Sequence, residues 1–410
     1  MQEIKGGITA PEGFKATGVH CGLKMRNPDL ALIYSTSPAV AWGMFTTNKV
    51  KAAPVKLSLK KIRTSCAQAI VANSGNANAC TGEKGLLDAV KMAEIAAGEL
   101  KISSDDVLVA STGIIGKSLP MDKIEEGIKK AAQSLSSHGG DLAAQAILTT
   151  DRTVKQIALE TDIPGRGGKK VKIGGIAKGS GMISPNLATM LCFITTNACI
   201  TKDALKEALQ NAVNKSFNQI SVDGDMSTND TVIILANGKA GNKKIKTWRK
   251  KPTLRLRDEN FQYFSQALDY LCIYLAKMIA KDGEGATKFV EVEVEGAPFP
   301  KDARRVARAV ASSLLVKTAI AGASPNWGRI MAAIGSANAK VKPDKVDVYL
   351  NGLLVVKKGE TANAKLTELR ETLSTESVKI TVKLNQGNCK TQFWGCDLTE
   401  KYVKINKRYT

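Results

Sequence analysis

The stretch from Lys178 to Thr196, which reads KGSGMISPNLATMLCFITT, contains the residues best suited to carry chemistry. Its first half is rich in glycine, which permits positive φ and close approach of the backbone to a ligand. The triplet Ser184-Pro185-Asn186 predicts a turn, and the apolar run from Met190 to Ile194 predicts a buried strand. Thr189 therefore lies where a tight turn leads the chain into the core.

Thr189 has a structural and a catalytic interpretation. A β-branched residue at the start of a strand needs no function to explain it. The chain has only two histidines, His20 and His138, so a Ser-His or Cys-His pair has little material. A threonine can instead use its own α-amine as the base, once the peptide bond before it is cut. A strained turn that exposes the Ala188 carbonyl to the Thr189 hydroxyl would permit this cut through an N-to-O acyl shift.

A second candidate site follows the apolar run from Val107 to Ala110, which predicts a buried strand. The next residues, from Ser111 to Ser118, read STGIIGKS. They do not form a phosphate-binding loop, because Ser111 stands where that motif requires its first glycine. A hydroxyl and a backbone N–H in the loop after a strand can form an oxyanion hole. A plain strand-to-helix turn is the alternative.

A third candidate is Glu284, within the sequence KDGEGATK from Lys281 to Lys288. A carboxylate flanked by glycines can approach a ligand closely and pair with an ammonium group, although a turn residue would look the same. The loop from Ser221 to Thr231 contains three aspartates but lacks the glutamate that completes a calcium loop. We expect that loop to shape a pocket.

The segment from Lys178 to Ile183, followed by the one from Pro185 to Leu191, closely resembles the self-processing segment of the ornithine acetyltransferase family. This family is also called bifunctional glutamate N-acetyltransferase. Further stretches similar to it occur along the chain, at 221–231, 324–329 and 394–410. The resemblance implies cleavage between Ala188 and Thr189, which would give a light chain, residues 1–188, and a heavy chain, residues 189–410.

The activity implied by the resemblance is acetyl transfer from N2-acetylornithine to glutamate, with acetyl-CoA as a second candidate donor. Thr189 would attack the acetyl carbonyl, while the Thr112 side chain and the Gly113 amide would stabilise the oxyanion. The new α-amine of Thr189 would act as the general base, since the ordinary pKa of such a group is ~7.7 to 8.0. Neither a bound cofactor nor a metal ion is expected.

The resemblance also implies a set of substrate-binding residues: Thr150, Lys178, Thr189, Glu284, Asn406 and Thr410. Lys178 would hold the substrate α-carboxylate, and Glu284 with Asn406 would contact the distal amine end. Thr149 remains an alternative to Thr150. Thr410 follows Asn406 by four residues, whereas the family often has a Ser or Thr five residues on.

Two other functions stay open at this point. One is a self-processed N-terminal-threonine amidohydrolase or aminopeptidase, in which water replaces glutamate as the acceptor. The other is a nucleic-acid binder, suggested by the formal net charge of +21 and by the basic stretch from Lys239 to Arg257 around Trp248. Solvated lysines in an exposed insertion explain that stretch equally well, and a positive field would also attract dicarboxylate substrates. We therefore expect small-molecule substrates and no nucleic acid.

Composition and length set the class of protein. The 410 residues, 43% hydrophobic and 5% aromatic, suit an α/β protein with two or three domains' worth of core. No apolar run reaches the ~18 to 20 residues of a membrane span, and the N-terminus lacks a signal-peptide core, which predicts a cytoplasmic protein. The eight cysteines contain no C-x-x-C pair, so we expect reduced core thiols and no zinc site.

The elements that must position these residues alternate between strands and helices. Apolar runs predict further strands at 31–34, 39–45, 69–73, 232–236, 289–295, 346–350 and 378–384. Helical spacing predicts helices at 83–100, 120–135, 261–279, 303–316 and 366–373, and one capped by Thr201. The resemblance implies a layered α/β (α+β) fold of the N-terminal-nucleophile type. It also implies that light and heavy chains associate, as a heterotetramer of two of each.

Overall fold

The computed structural model describes residues 1–63, 66–164, 169–184, 190–250 and 255–407. Ala188, Thr189 and Thr410, three residues of the predicted site, lie outside this range. The chain forms two compact units. The larger comprises Met1–Gly179, Asn186–Asn218 and Met226–Ala276, and the smaller comprises Ser180–Pro185, Gln219–Asp225 and Lys277–Thr410. The predicted cleavage would divide the chain elsewhere, and that prediction is not tested by these units.

The strands, in chain order, are β1 (Gln2–Ile4), β2 (Phe14–Val19), β3 (Leu30–Phe45), β4 (Cys66–Asn76), β5 (Val107–Ile114), β6 (Lys155–Ile163), β7 (Lys169–Lys178), β8 (Leu191–Thr196), β9 (Ile220–Ser221), β10 (Thr231–Ala236), β11 (Trp248–Lys250), β12 (Arg255–Arg257), β13 (Phe289–Ala297), β14 (Asp347–Leu350), β15 (Leu353–Lys357), β16 (Glu360–Thr361), β17 (Ser377–Lys383) and β18 (Cys389–Cys396). The helices are α1 (Ala53–Lys61), α2 (Gly82–Leu100), α3 (Met121–Gln133), α4 (Gly140–Ala146), α5 (Lys202–Lys215), α6 (Glu259–Lys281), α7 (Pro300–Ser312), α8 (Leu314–Ala321), α9 (Trp327–Gly335), α10 (Leu366–Leu373) and α11 (Glu400–Asn406). The predicted α/β class is confirmed.

The larger unit is built on one sheet of nine strands, in the order β1-β6-β7-β8-β10-β3-β4-β5, with β2 paired to β3. Apolar side chains cover both of its faces, since one core cluster includes Ile33, Phe193 and Ile233, and another includes Val71 and Met92. A strand buried on both faces requires an unbroken apolar run. This explains why β8 and β10 were visible in the sequence as continuous stretches.

The smaller unit has a seven-stranded sheet in the order β16-β15-β14-β17-β13-β18-β9. Here the predicted alternation along β13 is confirmed, because Val290, Val292 and Val294 are buried in the core cluster that contains α7 residues. The intervening glutamates are only partly buried. One face of β13 therefore packs on helices while the other carries charge.

Two predicted elements differ from the structure. The strands predicted at 31–34 and 39–45 are one strand, β3, whose pairing with β4 shifts register between Tyr34 and Ala39. The helix predicted at 303–316 is two helices, because Ser313 has an extended backbone, with ψ of 117°, and caps α8 by accepting a hydrogen bond from the Val316 N–H. Local apolar spacing could not show either feature.

The cysteines depart partly from expectation. None of the eight forms a disulfide bond, and Cys192, Cys272 and Cys396 are buried as predicted. Cys66 and Cys80 are exposed, however, so the prediction of core thiols is wrong for those two. Cys66 begins β4 and Cys80 lies in a turn, which leaves both side chains beyond the packed core.

The basic stretch contains the two-stranded hairpin β11–β12, whose residues 251–254 lie outside the described range. Trp248 at its start is 38% exposed, which fits the interpretation of an exposed insertion. Within the described ranges, no helix combines the length and the apolar character needed to cross a membrane.

Candidate active site

Thr112 and Gly113 lie at the end of β5 in the larger unit, still paired with β4, rather than in a loop after the strand as expected. Gly113 has φ of +132°, a conformation that side chains rarely adopt, and an added Cβ would lie 2.4 Å from the carbonyl carbon of Gly75. Glycine is therefore required at this position. Thr112 is buried, with 3% of its surface exposed.

Two buried asparagines that the sequence interpretation missed hold this strand end in place. Ser111 donates its hydroxyl to Asn73 Oδ1 at 2.6 Å. The Asn229 side-chain amide donates to the Ser111 carbonyl at 2.8 Å and to the Ala77 carbonyl at 2.6 Å. Because buried polar groups need partners, this network fixes the backbone beside Thr112. Asparagine side chains in sequence give no sign of which distant carbonyls they will bind.

Asp151 is the centre of a buried ionic cluster in the larger unit. Its carboxylate lies 2.7 Å from Lys155 Nζ and 3.9 Å from Lys178 Nζ, and the three side chains are 0%, 0% and 3% exposed. Burial raises the pKa of Asp151, but the two lysines and the Gly179 amide lower it by more, so that it lies well below its usual range. The carboxylate is therefore charged at ordinary pH, and the lysines keep a buried charge paired.

The cluster connects two of the predicted substrate residues. Thr150 directly precedes Asp151 and is half-buried, while the amide of the alternative candidate, Thr149, donates to Asp151 Oδ2 at 3.1 Å. Gly179 donates its backbone N–H to Asp151 Oδ1 at 2.7 Å, which fixes the chain immediately after Lys178. The structure thus brings Lys178 and the Thr149-Thr150 pair to one carboxylate, which does not decide between the two threonines.

A further lysine adds positive charge nearby. Lys24 donates to the Leu148 carbonyl at 3.0 Å. Burial lowers the pKa of Lys24, and the charge of Lys178 lowers it further, although Asp29 and Asp151 oppose the shift. Lys24 was not predicted to belong to the site, because no sequence pattern links it to residues more than a hundred positions away.

Lys178 also lies near the start of β8. It ends β7 and pairs with Leu191, the first residue of β8, in an antiparallel ladder. Cα atoms of directly paired residues lie ~5 Å apart, and Thr189 is two residues before Leu191 in the chain. Thr189 is outside the described residues, and the structure shows Lys178 as the cross-strand neighbour of Leu191.

Asp230 is a buried carboxyl group that the sequence interpretation assigned no role of its own. Its Oδ1 accepts a hydrogen bond from the Met190 N–H at 3.1 Å. Burial raises the pKa of Asp230 well above its usual value. Its hydrogen bonds and the positive charge of Lys178 lower the pKa, but their effect is smaller than that of burial. The side chain is therefore neutral over a wider pH range than an ordinary aspartate.

Glu284 and Asn406 are adjacent in the smaller unit. Asn406, in α11, donates its side-chain amide to Glu284 Oε2 at 2.8 Å. Glu284 donates its backbone N–H to the Ser180 carbonyl at 2.8 Å, and a Cβ on Gly181 would lie 2.5 Å from the Glu284 carboxyl carbon. Gly181 therefore makes room for this carboxylate. The two residues predicted to contact the same end of a substrate do lie together.

Asp223 organises the backbone around Met182 in the same unit. Its carboxylate accepts the N–H groups of Met182 at 2.6 Å and Ile183 at 2.8 Å, and the Tyr402 hydroxyl at 3.2 Å. Met182 has a positive φ of 57°, which such bonds help to hold. Burial raises the pKa of Asp223, and this effect is larger than that of the hydrogen bonds, which lower the pKa. The loop that we predicted to shape a pocket thus contains a carboxylate that binds two backbone N–H groups of residues 182 and 183. The sequence did not reveal these hydrogen bonds.

A buried lysine–aspartate cluster with a strongly lowered carboxyl pKa is typical of functional sites in α/β enzymes, and comparison with known proteins gives the family. The sequence profile of the ArgJ family matches residues 15–410. The "Arginine biosynthesis bifunctional protein ArgJ" of Symbiobacterium thermophilum is 48% identical over 412 residues, covering 100% of both chains. That of Caldanaerobacter subterraneus is 48% identical over 417 residues, again with 100% coverage of both.

A solved structure of the arginine biosynthesis bifunctional protein from Bacillus halodurans is 42% identical, covers 53% of this chain and 98% of its own, and has a TM-score of 0.49. The family match and the full-length relatives establish the assignment: the chain belongs to the ArgJ family. It is an enzyme of arginine biosynthesis, and the family predicted from its motifs is confirmed.

Proposed function

We propose that this enzyme transfers the acetyl group of N2-acetylornithine to glutamate through an acetyl ester on Thr189. The observation that carries the proposal is the position of Lys178, a buried ammonium group at the end of β7, opposite the first residue of β8. We infer that this ammonium group binds a substrate carboxylate while Thr189 attacks the acetyl group. Membership of the ArgJ family supports the reaction class.

Maturation precedes the reaction: the Thr189 hydroxyl attacks the Ala188 carbonyl in an N-to-O acyl shift, and water hydrolyses the resulting ester, which leaves the Thr189 hydroxyl and its α-amine free. This amine takes the hydroxyl proton as the Thr189 oxygen attacks the acetyl carbonyl, while Thr112 and the Gly113 N–H stabilise the oxyanion. The C–N bond breaks, ornithine leaves with the proton on its nitrogen, and the acetyl ester remains. The neutral amine of glutamate then attacks the ester and gives a proton to the Thr189 α-amine, which passes that proton to the Thr189 oxygen as it leaves. Loss of one oxyanion donor typically costs ~2.7 to 4 kcal/mol.

Substrate recognition would use charges of both signs. We assign the substrate α-carboxylate to Lys178 with Thr150. Asp151 accepts the N–H of the residue before Thr150 and the N–H of the residue after Lys178, so one carboxylate holds the backbone next to both. We assign the distal ammonium group of ornithine to Glu284, whose carboxylate is already oriented by Asn406. Thr410 stays a predicted contact. Acetyl-CoA stays a candidate second donor, in keeping with the word "bifunctional" in the names of the relatives.

The sheet of the larger unit explains how two chains would stay together after cleavage. Strands β8 and β10, which follow residue 189, lie between β7 and β3, which precede it. Residues 173–178 of β7 pair with residues 191–196 of β8, and six residues of β10 pair with β3. Separating the chains would break the centre of a buried sheet. Assembly into a heterotetramer and a cytoplasmic location stay predictions from the sequence.

The first test is the intact mass of the protein under denaturing conditions. By proportion of 188 and 222 residues in 43.7 kDa, cleavage should give chains of about 20 and 24 kDa, the larger beginning at Thr189. Incubation with N2-acetylornithine alone should then leave one acetyl group on the peptide that starts with Thr189. Thr189→Ala should abolish both cleavage and transfer.

Two results would contradict the proposal. One is a single 43.7 kDa chain with full transferase activity, or an active Thr189→Ala variant. The other is release of acetate at a rate that glutamate does not reduce, which would identify the amidohydrolase instead. In the proposed reaction glutamate suppresses acetate release, because it competes with water for the same acetyl ester.

A further inference from the structure

Met190, the residue after the proposed nucleophile, is held at both of its backbone polar groups. Its N–H donates to Asp230 Oδ1 at 3.1 Å, and its carbonyl accepts the Thr231 N–H at 3.0 Å. Thr231 begins β10, which runs parallel to β8 with Leu191 opposite Thr231. The Asp230 side chain therefore extends the ladder between β8 and β10 by one hydrogen bond beyond the strand itself.

The backbone of Asp230 is itself fixed on other sides. Its carbonyl accepts the Thr46 N–H at 2.9 Å, at the end of β3. The preceding residue, Asn229, is the one whose amide binds the Ser111 and Ala77 carbonyls beside Thr112. Thr231 donates its hydroxyl to the Asn229 carbonyl at 2.9 Å. Residues 229–231 are thus hydrogen-bonded to a residue of β5, to Met190, directly before β8, and to Thr46, directly after β3.

The second carboxyl oxygen of Asp230 departs from the usual rule for buried polar atoms. Asp230 is 0% exposed, and no donor among the described residues reaches its Oδ2 with good hydrogen-bond geometry, although the Thr46 and Ser227 side chains interact with the carboxyl group and lower its pKa. A buried carboxyl oxygen with weak partners is costly, because the hydrogen bonds that it made to water are not fully replaced. A backbone N–H could be satisfied more cheaply by a carbonyl in a regular ladder, so this arrangement requires a reason other than stability.

Planarity of the peptide bond supplies that reason. The N–H of Met190 lies in the plane that also contains the Cα and carbonyl of residue 189. A hydrogen bond at that N–H therefore restrains the orientation of the peptide plane that joins residues 189 and 190. Among the described residues, Asp230 Oδ1 is the acceptor for this N–H, at a position where the ladder itself supplies none.

We propose that Asp230 is a positioning residue for the Thr189 nucleophile, which it orients by accepting the Met190 N–H. The inference rests on the proposed role of Thr189. In this role Asp230 neither donates a proton to the reacting groups nor accepts one from them, and it forms no covalent bond. It acts as a neutral acceptor, which its burial favours. Because a misplacement of ~1 Å can cost about a hundredfold in rate, loss of the bond should slow both self-cleavage and acetyl transfer.

The test compares substitutions that keep or remove the acceptor. Asp230→Asn keeps an acceptor oxygen and the shape of the side chain, Asp230→Ala removes both, and Asp230→Val removes the acceptor while filling more of the space. Asp302→Ala and Asp302→Asn are matched controls, since Asp302 in α7 is also buried with an unpartnered Oδ2 within the described residues. The measurements are the rate of precursor cleavage by mass spectrometry, kcat and KM for N2-acetylornithine, and the thermal unfolding of each variant.

For Asp230→Ala and Asp230→Val we expect cleavage and kcat to fall at least tenfold, with KM within about twofold of the unchanged enzyme. Asp230→Asn should stay within about threefold of it in both rates, because the acceptor is retained. The Asp302 variants should lose thermal stability at most, with kcat unchanged. If Asp230 had only a structural role, its substitutions would lower thermal stability, but the rates of Asp230→Asn would not differ from those of Asp230→Ala and Asp230→Val in this way.

Three outcomes decide the matter. If a folded Asp230→Ala or Asp230→Val enzyme matures and transfers at the original rates, the positioning role is wrong and the role of Thr189 is untouched. If Asp230→Asn is as slow as Asp230→Ala, a proton rather than an acceptor is needed, and the inference also fails. If Thr189→Ala still matures and transfers acetyl, the proposed function fails first and the role of Asp230 fails with it.

Discussion

Both units pair lysines with carboxylates, but they do so in opposite environments. In the larger unit, Asp151 and its two lysines are almost entirely buried. In the smaller unit, Glu293 lies 2.6 Å from Lys379 on the open face of β13, with 17% and 46% of the two side chains exposed. The distances are similar, so distance does not separate the two cases.

Burial does separate them. Removing one member of a buried ion pair leaves an uncompensated charge and typically costs ~3 to 5 kcal/mol, whereas an exposed pair contributes ~0 to 1 kcal/mol. A fold that needed only stability would gain as much from apolar side chains at the buried positions. The buried cluster therefore points to a function, and the ladder on β13 is explained as a solvated face.

The largest effect should come from Asp151→Ala. It leaves Lys155 and Lys178 without this buried carboxylate, and we expect the free energy of unfolding to fall by ~3 to 5 kcal/mol in chemical denaturation. Asp302→Ala, which removes a buried carboxyl group whose Oδ2 has no partner in the described part of the chain, is the control. Equal losses in the two variants would show that the lysines are not the cause.

Lys178→Met should test the binding role of this lysine, with the free energy of unfolding measured alongside because Lys178 also faces Asp151. It removes the ammonium group while keeping much of the side-chain volume, and we expect kcat/KM for N2-acetylornithine to fall about a hundredfold, or ~2.7 kcal/mol. Steady-state kinetics would measure it, with Lys277→Met as the control, since Lys277 pairs with Glu291 at a 41% exposed position. Equal kcat/KM for both variants would remove Lys178 from the substrate site.

Gly113→Ala should lower kcat by distorting the end of β5, whereas Gly116→Ala should leave that strand end unchanged. Both glycines have positive φ, +132° and +84°, but only at Gly113 does an added Cβ meet backbone, whereas nothing lies within 4 Å at Gly116. We expect kcat to fall at least tenfold for Gly113→Ala and less than threefold for Gly116→Ala, by an estimate of roughly 1 to 3 kcal/mol for local strain. Similar kcat values would mean that positive φ alone, and not the clash, matters.

The smallest effect should be that of Glu293→Gln. The hydrogen bond from Lys379 lowers the pKa of Glu293 against the effect of burial, so its stabilisation exists above the ordinary glutamate pKa of ~4.3 and is lost as pH falls through the folded pKa. Exposure limits the loss to less than ~1 kcal/mol. Unfolding measured between pH 6 and pH 3 should be slightly less pH-dependent in Glu293→Gln than in the parent, with Glu360→Gln unchanged. A loss above 2 kcal/mol at neutral pH would erase the contrast between the two units.

The sequence alone predicted much of the architecture, where local chemistry decides structure. The apolar runs of β8 and β10 could only be buried strands, and helix α10 occupies the predicted 366–373. Thr201 caps α5 as predicted, accepting the Ala204 N–H. The motifs around Lys178 also identified the family correctly. Each of these signals lies within a few residues of the feature that it predicts.

Only the tertiary structure decided which distant polar groups meet. Asp230 reaches Met190 across 40 residues, Asn406 reaches Glu284 across 122 residues, and Tyr402 reaches Asp223 across 179 residues. A hydrogen bond requires a donor and an acceptor about 3 Å apart, and strand order and helix packing determine which residues come that close. Residue types thus determined what chemistry was available, while the fold determined which backbone groups the buried carboxyl groups would hold.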